Sequence, residues 1–140
     1  MNRALGIDYG EARVGVAISD ELGMLAHPLE TITVKDTDPV ARVAQLVRDR
    51  GADTVIVGLP RNMDGSHGPS AEKARTFAVK LREAAAGCNV RLWDERLTTV
   101  AAQKALHAAG KTAKQSKSLI DQAAAVMILQ GWLDSQSMMA

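Results

Sequence analysis

The segment GIDYGEARVGVAISD, residues 6–20, constrains this chain most, because it sets one carboxylate, Asp8, inside an apolar run that ends in glycine. Arg3–Tyr9 and Arg13–Ser19 both read as strands. The first carries Leu5 and Ile7, and the second alternates Val14, Val16 and Ile18 with small residues. Tyr9-Gly10-Glu11-Ala12 between them is short enough for a hairpin, so the strands are expected to be antiparallel neighbours. Alternation then puts Asp8 on the face opposite Leu5 and Ile7. An ionised carboxylate there is costly unless a metal, an arginine or backbone N–H groups partner it. Asp8 either serves such a site or caps the turn through its own side chain.

At 140 residues, 46% hydrophobic and 24% charged, the chain suits one domain over residues 1–140 with one core. Tyr9, Phe77, Trp93 and Trp132 are its only aromatics, so Val, Leu, Ile, Ala and Met must fill that core and stacking platforms for single-stranded bases are scarce. The net charge of +1 neither demands nor excludes a polyanionic partner, which makes the local placement of lysines decisive. Cys88 is the only cysteine; it excludes an internal disulfide, fits a reducing cytoplasm and reads as a packed thiol. No apolar run approaches the roughly 18 residues that span a bilayer, and no secretory h-region follows the start. A cytoplasmic protein without membrane association is expected.

Leu25–Val34 gives a third extended segment, biased to an edge by His27-Pro28 because proline donates nothing to a ladder. Asp38 as N-cap and Pro39 in the first turn open a helix whose Val40, Val43, Leu46 and Val47 form one buried face, and which Gly51 ends. Thr54–Val57 follows as a strand covered on both faces and stopped by Gly58. Leu59–Ser70 reads as a loop, Ser70–Ala86 as a second amphipathic helix, and Asn89–Trp93 as the fifth strand. A third helix is expected from a cap at Thr98 or Thr99 through Leu106, closed by Gly110, and a last one over Ser118–Asp134. The order implies a mixed α/β fold: an antiparallel meander of three strands, then right-handed parallel crossovers to the fourth and fifth, with helices flanking the sheet.

Three acids fall where such a sheet can gather them: Asp8 on the first strand, Glu95 just past the fifth, and Asp121 in the expected first turn of the last helix. With the first, fourth and fifth strands parallel, Asp8 and Glu95 emerge at the carboxyl edge, where α/β sheets hold ligands. Like charges about 4 Å apart cost roughly 4 kcal/mol per pair at an effective dielectric near 20. Divalent cations remove that cost, and oxygen ligands with open positions suit Mg²⁺ or Mn²⁺. Two such ions about 3.5–4 Å apart activate water and stabilise the leaving oxygen of a phosphodiester. Each acid also has a structural alternative. Asp121 follows Ser118 as in a capping box and suits a helix dipole, Glu95 can pair with Arg96, and Asp94 is an alternative ligand whose face alternation leaves open.

GIDYGEARVGVAISD, VGLPRNMDGSHGP, DERLTT and SLIDQAAAVMIL, in order and over nearly all of the chain, resemble the YqgF/RuvX family of candidate pre-16S ribosomal RNA nucleases, also called Holliday junction resolvase-like proteins. The resemblance implies a ribonuclease H-like fold and a cytoplasmic, metal-dependent hydrolase of phosphodiester bonds, acting in 5′-end processing of pre-16S rRNA, in junction resolution, or in both. It places the catalytic and metal-binding acids on Asp8, Glu95 and Asp121, with two Mg²⁺ or Mn²⁺ ions as cofactor. Pre-rRNA or branched DNA is the implied partner, bound by a monomer or, for symmetric junction cuts, a homodimer.

Arg13 resembles the family's arginine after the first-strand glycine and, like Arg96 beside Glu95, suits either a phosphate or a carboxylate. Lys111, Lys114 and Lys117 form a stretch without acids just before the last helix and are expected to contact phosphates, with Arg61 of the 59–70 loop a further contact. One competing reading is a non-catalytic ribosome-assembly or nucleic-acid-binding factor on the same fold. Another is an actin-like or sugar-kinase phosphotransferase, since Asp8-Tyr9-Gly10 before a hairpin resembles a phosphate loop; that fold needs a second domain for which this chain has no room.

Overall fold

In a computed structural model, which describes residues 3–60, 68–95 and 113–139 and the side chains of 3–60, 68–95 and 120–137, the first two segments pair as the alternation requires. Strands β1 (Arg3–Tyr9) and β2 (Arg13–Ser19) are antiparallel, with Ile7 opposite Val16 and Asp8 opposite Gly15. β3 (Ala26–Thr33) lies outside β2. Its ladder shifts between the Val16–Glu30 and Ala17–Pro28 pairs, so the proline sits at an irregularity on an edge strand. β4 (Ala52–Leu59) runs parallel to β1, and β5 (Asn89–Asp94) parallel to β4, giving the order β3-β2-β1-β4-β5.

Helix α1 (Pro39–Arg50) begins where Val40 N–H donates to the Asp38 carboxylate at 3.1 Å, and it ends at Gly51 in the left-handed conformation, φ 66°. Arg42 of α1 donates to both oxygens of Glu30 at 2.7 and 2.9 Å, a bidentate clamp onto β3 that raises the pKa of the guanidinium. α2 (Pro69–Ala84) packs beside α1. α3 (Ala113–Met139) crosses the other face and touches β1, β2, β3 and β4. Its 27 residues make it about 40 Å long at 1.5 Å per residue. Among the described residues no helix is long and apolar enough to cross a membrane.

The sheet therefore carries two apolar layers. Leu5, Ile7, Val16, Val55 and Val57 meet Val43 and Leu46 of α1 and Phe77 and Leu81 of α2. Ala4, Ala17 and Ile56 point the other way and meet Ala124, Ala125, Ile128 and Leu129 of α3.

Two expectations are corrected here. Gly58 does not stop β4: it pairs with Trp93 in the β5 ladder, and Ile128 of α3 fills the space its missing side chain leaves, so tertiary pairing overrides glycine's weak strand propensity. The last helix does not begin at Ser118, because Ala113-Lys114-Gln115 are strong helix formers and the helix extends back through them. It also runs on past Asp134 to Met139. The helix expected over 98–106 and most of the 59–70 loop lie outside the described residues.

Candidate functional site

Asp8 stands near the carboxyl end of β1, on the α3 side of the sheet, half-buried. Its neighbours across both ladders are glycines. Gly15 is its direct partner in β2, and Gly58 follows Val57, the partner of Ile7, in β4. Both positions are held small by what packs over them. A Cβ on Gly15 would collide with the Asp121 carbonyl oxygen. A Cβ on Gly58 would run into Ile128 and come within 3.3 Å of the Glu95 carboxyl carbon. The Asp121 main chain and the Glu95 carboxyl thus approach the sheet over the two glycines that flank Asp8, with Ile128 packed over Gly58 as well.

Asp121 lies more than two turns past Ala113, in the body of α3. That position removes its reading as a first-turn residue serving the helix dipole, since the dipole's effect fades beyond the first turn. Its carboxylate instead accepts a 2.7 Å hydrogen bond from Arg13 Nε, with the Asp121 side chain 16% and the Arg13 side chain 36% exposed. Of the two roles open to Arg13 in the sequence, the structure displays the carboxylate partner.

Glu95 follows the last residue of β5 and is half-buried. Alternation from Trp93, which packs in the α3 layer, settles the face of Asp94: it falls with Val90 and Leu92 on the opposite side of the sheet from Asp8. Lys114 and Lys117 lie on the α3 backbone in the turns before Asp121, whereas Arg61, Arg96 and Lys111 lie outside the described residues.

The donor set of three carboxylates has the hard-oxygen chemistry that Mg²⁺ and Mn²⁺ favour. In chemistry the residues fit such ions. Among the described residues, however, no group of three or more Asp, Glu, His or Cys side chains comes close enough to hold one, and the Asp121 carboxylate is directed to Arg13.

Sequence reasoning singled out the acids but missed the close packing over the two glycines, reading Gly15 only as a small strand residue and Gly58 as a terminator. The signal was present in the alternation of small residues on one face, Gly6, Asp8 and Gly15, Ala17, against Leu and Val on the other. A cleft of about 660 Å³ opens between α1 and α2, floored by Tyr9 and Phe77 with ring centroids 4.9 Å apart. No member of the acid triad lines it, and Asp38 and Glu72 offset Lys73 and Lys80 at its rim. Asp8, Asp121 and Glu95 lie instead on the α3 side of the sheet.

Comparison with known proteins bears on the fold and the family. The chain superposes on Thermus thermophilus RuvC in complex with a Holliday junction substrate with a TM-score of 0.62 at 16% identity, covering 100% of this chain and 98% of that one. That likeness establishes the ribonuclease H-like fold. A candidate pre-16S rRNA nuclease of Halalkalibacterium halodurans is 48% identical over 139 residues, 97% of this chain and 99% of that protein. Another from Acetivibrio thermocellus is 49% identical over 136 residues, 96% of each chain. The profile of the family described as RuvX, Holliday junction resolvase, matches residues 2–135, and the chain belongs to that family.

Proposed function

We propose that residues 1–140 act as one cytoplasmic domain, a divalent-metal-dependent nuclease that hydrolyses phosphodiester bonds in structured nucleic acid. The observation that carries this reading is the placement of Asp8 between two positions without side chains, over which Asp121 and Glu95 approach. Asp8, Glu95 and Asp121 would be the residues that hold the ions. Mg²⁺ or Mn²⁺ bound there would supply Lewis acidity and an activated water for attack on phosphorus.

The chain's own groups do the remaining work. The β1–β2 ladder fixes Asp8 so that it presents its carboxylate without reorganising, and α3 holds Asp121 against the sheet through the Gly15 contact. Arg13, Arg61, Arg96 and the lysines at 111, 114 and 117 would orient the phosphate backbone, a contribution that sets affinity more than sequence preference. The relatives' names point to pre-16S rRNA and four-way junctions as substrates.

The specific observation favouring a non-catalytic binding factor is the Arg13–Asp121 bond, which satisfies one acid without any ion. The decisive experiment measures Mn²⁺- and Mg²⁺-dependent cleavage of a panel of structured RNA, single-stranded DNA, duplex and four-way junction by wild type and Asp8→Asn. Asp8→Asn should fold normally and lose cleavage roughly 100-fold or more, the scale on which single charge-stabilising groups act. Near wild-type turnover by the folded variant would reject the nuclease reading and favour the binding factor.

A further inference from the structure

One short hydrogen bond at the site joins residues that the nuclease reading assigns to different jobs. Arg13 is read as a phosphate ligand and Asp121 as a metal ligand, yet they are bonded to each other at 2.7 Å. The two ends of this pair differ in freedom. Asp121 is pinned at its backbone, since its carbonyl oxygen packs onto Gly15 and leaves no space for even a methyl group. Only the carboxylate can choose a partner. Arg13 opens β2, and its side chain, 36% exposed against 16% for Asp121, is the end of the pair that a solute reaches first.

A dication beside Asp8 and Asp121 would face the Arg13 guanidinium across one shared carboxylate, and like charges at such range repel strongly. A phosphate diester resolves the conflict. Arginine binds phosphate oxygens at least as well as carboxylate oxygens, in the same planar fork geometry, so a backbone phosphate can draw Arg13 away and leave Asp121 to the cation. No bond is made or broken in this exchange; one hydrogen-bond acceptor replaces another.

We propose that Arg13 is an exchangeable counter-ion, holding the Asp121 carboxylate while the protein is free of nucleic acid and passing to a substrate phosphate on binding, so that nucleic acid and divalent cation bind cooperatively. This rests on the reading of Asp121 as a metal ligand. Linkage makes the cooperativity reciprocal: whatever factor nucleic acid contributes to cation affinity, the cation returns to nucleic-acid affinity. The site is thereby biased against holding a loaded metal in the absence of substrate.

The test is a Mn²⁺ titration of the full chain, read by calorimetry and by the electron paramagnetic resonance of free Mn²⁺, on wild type, Arg13→Gln, Arg13→Lys and Asp8→Asn. Each variant is first checked for a wild-type thermal transition. Without nucleic acid, Arg13→Gln should bind Mn²⁺ at least about fivefold more tightly than wild type, because a competing charge has gone. Arg13→Lys, which keeps the charge, should stay near wild type. A fluorescent four-way DNA junction with phosphorothioate linkages should bind wild type more tightly when Mn²⁺ is added, and this gain should vanish in Arg13→Gln. If Asp8→Asn loses Mn²⁺ while Arg13→Gln binds it no better than wild type, the metal site stands and the counter-ion role is overturned. If Asp8→Asn binds Mn²⁺ as wild type does, the acids hold no metal and both readings fall.

Discussion

The two faces of the central sheet are built from the same strands to different ends. Toward α1 and α2 the strands send Leu5, Ile7, Val16, Val55 and Val57, branched side chains that hold the helices at full side-chain distance. Toward α3 they send Ile56 but otherwise small residues, Ala4, Gly6, Ala17, Gly15 and Gly58, and Ala125, Leu129 and the Asp121 main chain of α3 come down onto the glycines, so that helix and sheet nearly touch there. At Gly6 an added Cβ would stand 2.6 Å from the Leu129 Cβ and 2.8 Å from the Ala125 carbonyl oxygen. The difference separates two requirements. Thick packing buries apolar area and supplies stability, whereas close packing fixes a backbone in place and lets Asp121 be positioned by its own main chain. β1 serves both by alternation alone, Leu5 and Ile7 on one side and Asp8 on the other.

This division of labour can be broken by mutation. The largest stability effect should come from the thick face: Ile7→Ala, with Ile7 fully buried, should cost about 2–5 kcal/mol in urea denaturation and leave Mn²⁺ affinity unchanged under folding conditions. A change in Mn²⁺ affinity would show that the two faces are coupled. Gly15→Ala should cost less, about 1–3 kcal/mol, because α3 must move off the sheet to admit one methyl group. That variant should weaken Mn²⁺ binding as well, since Asp121 moves with the helix; a destabilised protein with an unaltered Mn²⁺ isotherm would dissociate helix placement from the site. Smallest, Asp38→Ala should lose about 1 kcal/mol from the α1 cap and leave nuclease activity and Mn²⁺ binding alone.

Local pattern carried the fold far. β1, β2 and α1 follow from alternation, from Asp38-Pro39 and from Gly51, each a signal written within a few residues of the element it governs. The face of Asp8 was legible for the same reason. Gly58 misled because its strand character comes from a ladder with β5, a partner more than thirty residues away in the chain. Ser118 and Asp121 misled because they imitate a helix start, and only the extended helix shows that they sit inside it. The Arg13–Asp121 bond joins positions 108 residues apart, so no window of sequence contains it. Residue types told which groups can pair; the topology decided which of them do.

The register that sets Asp8 opposite Gly15 bears also on how the hairpin finds its pairing. β1 and β2 are joined by a three-residue connection and are free to pair early, before any distant strand arrives. A slip of one residue would turn Leu5 and Ile7 toward α3 and thrust the Asp8 carboxylate into the apolar layer beneath α1 and α2. An ionised carboxylate buried there without a partner is prohibitive, so misaligned hairpins cannot consolidate and must reopen. In the aligned register Asp8 stays on the α3 side, so this cost falls on slipped pairings alone.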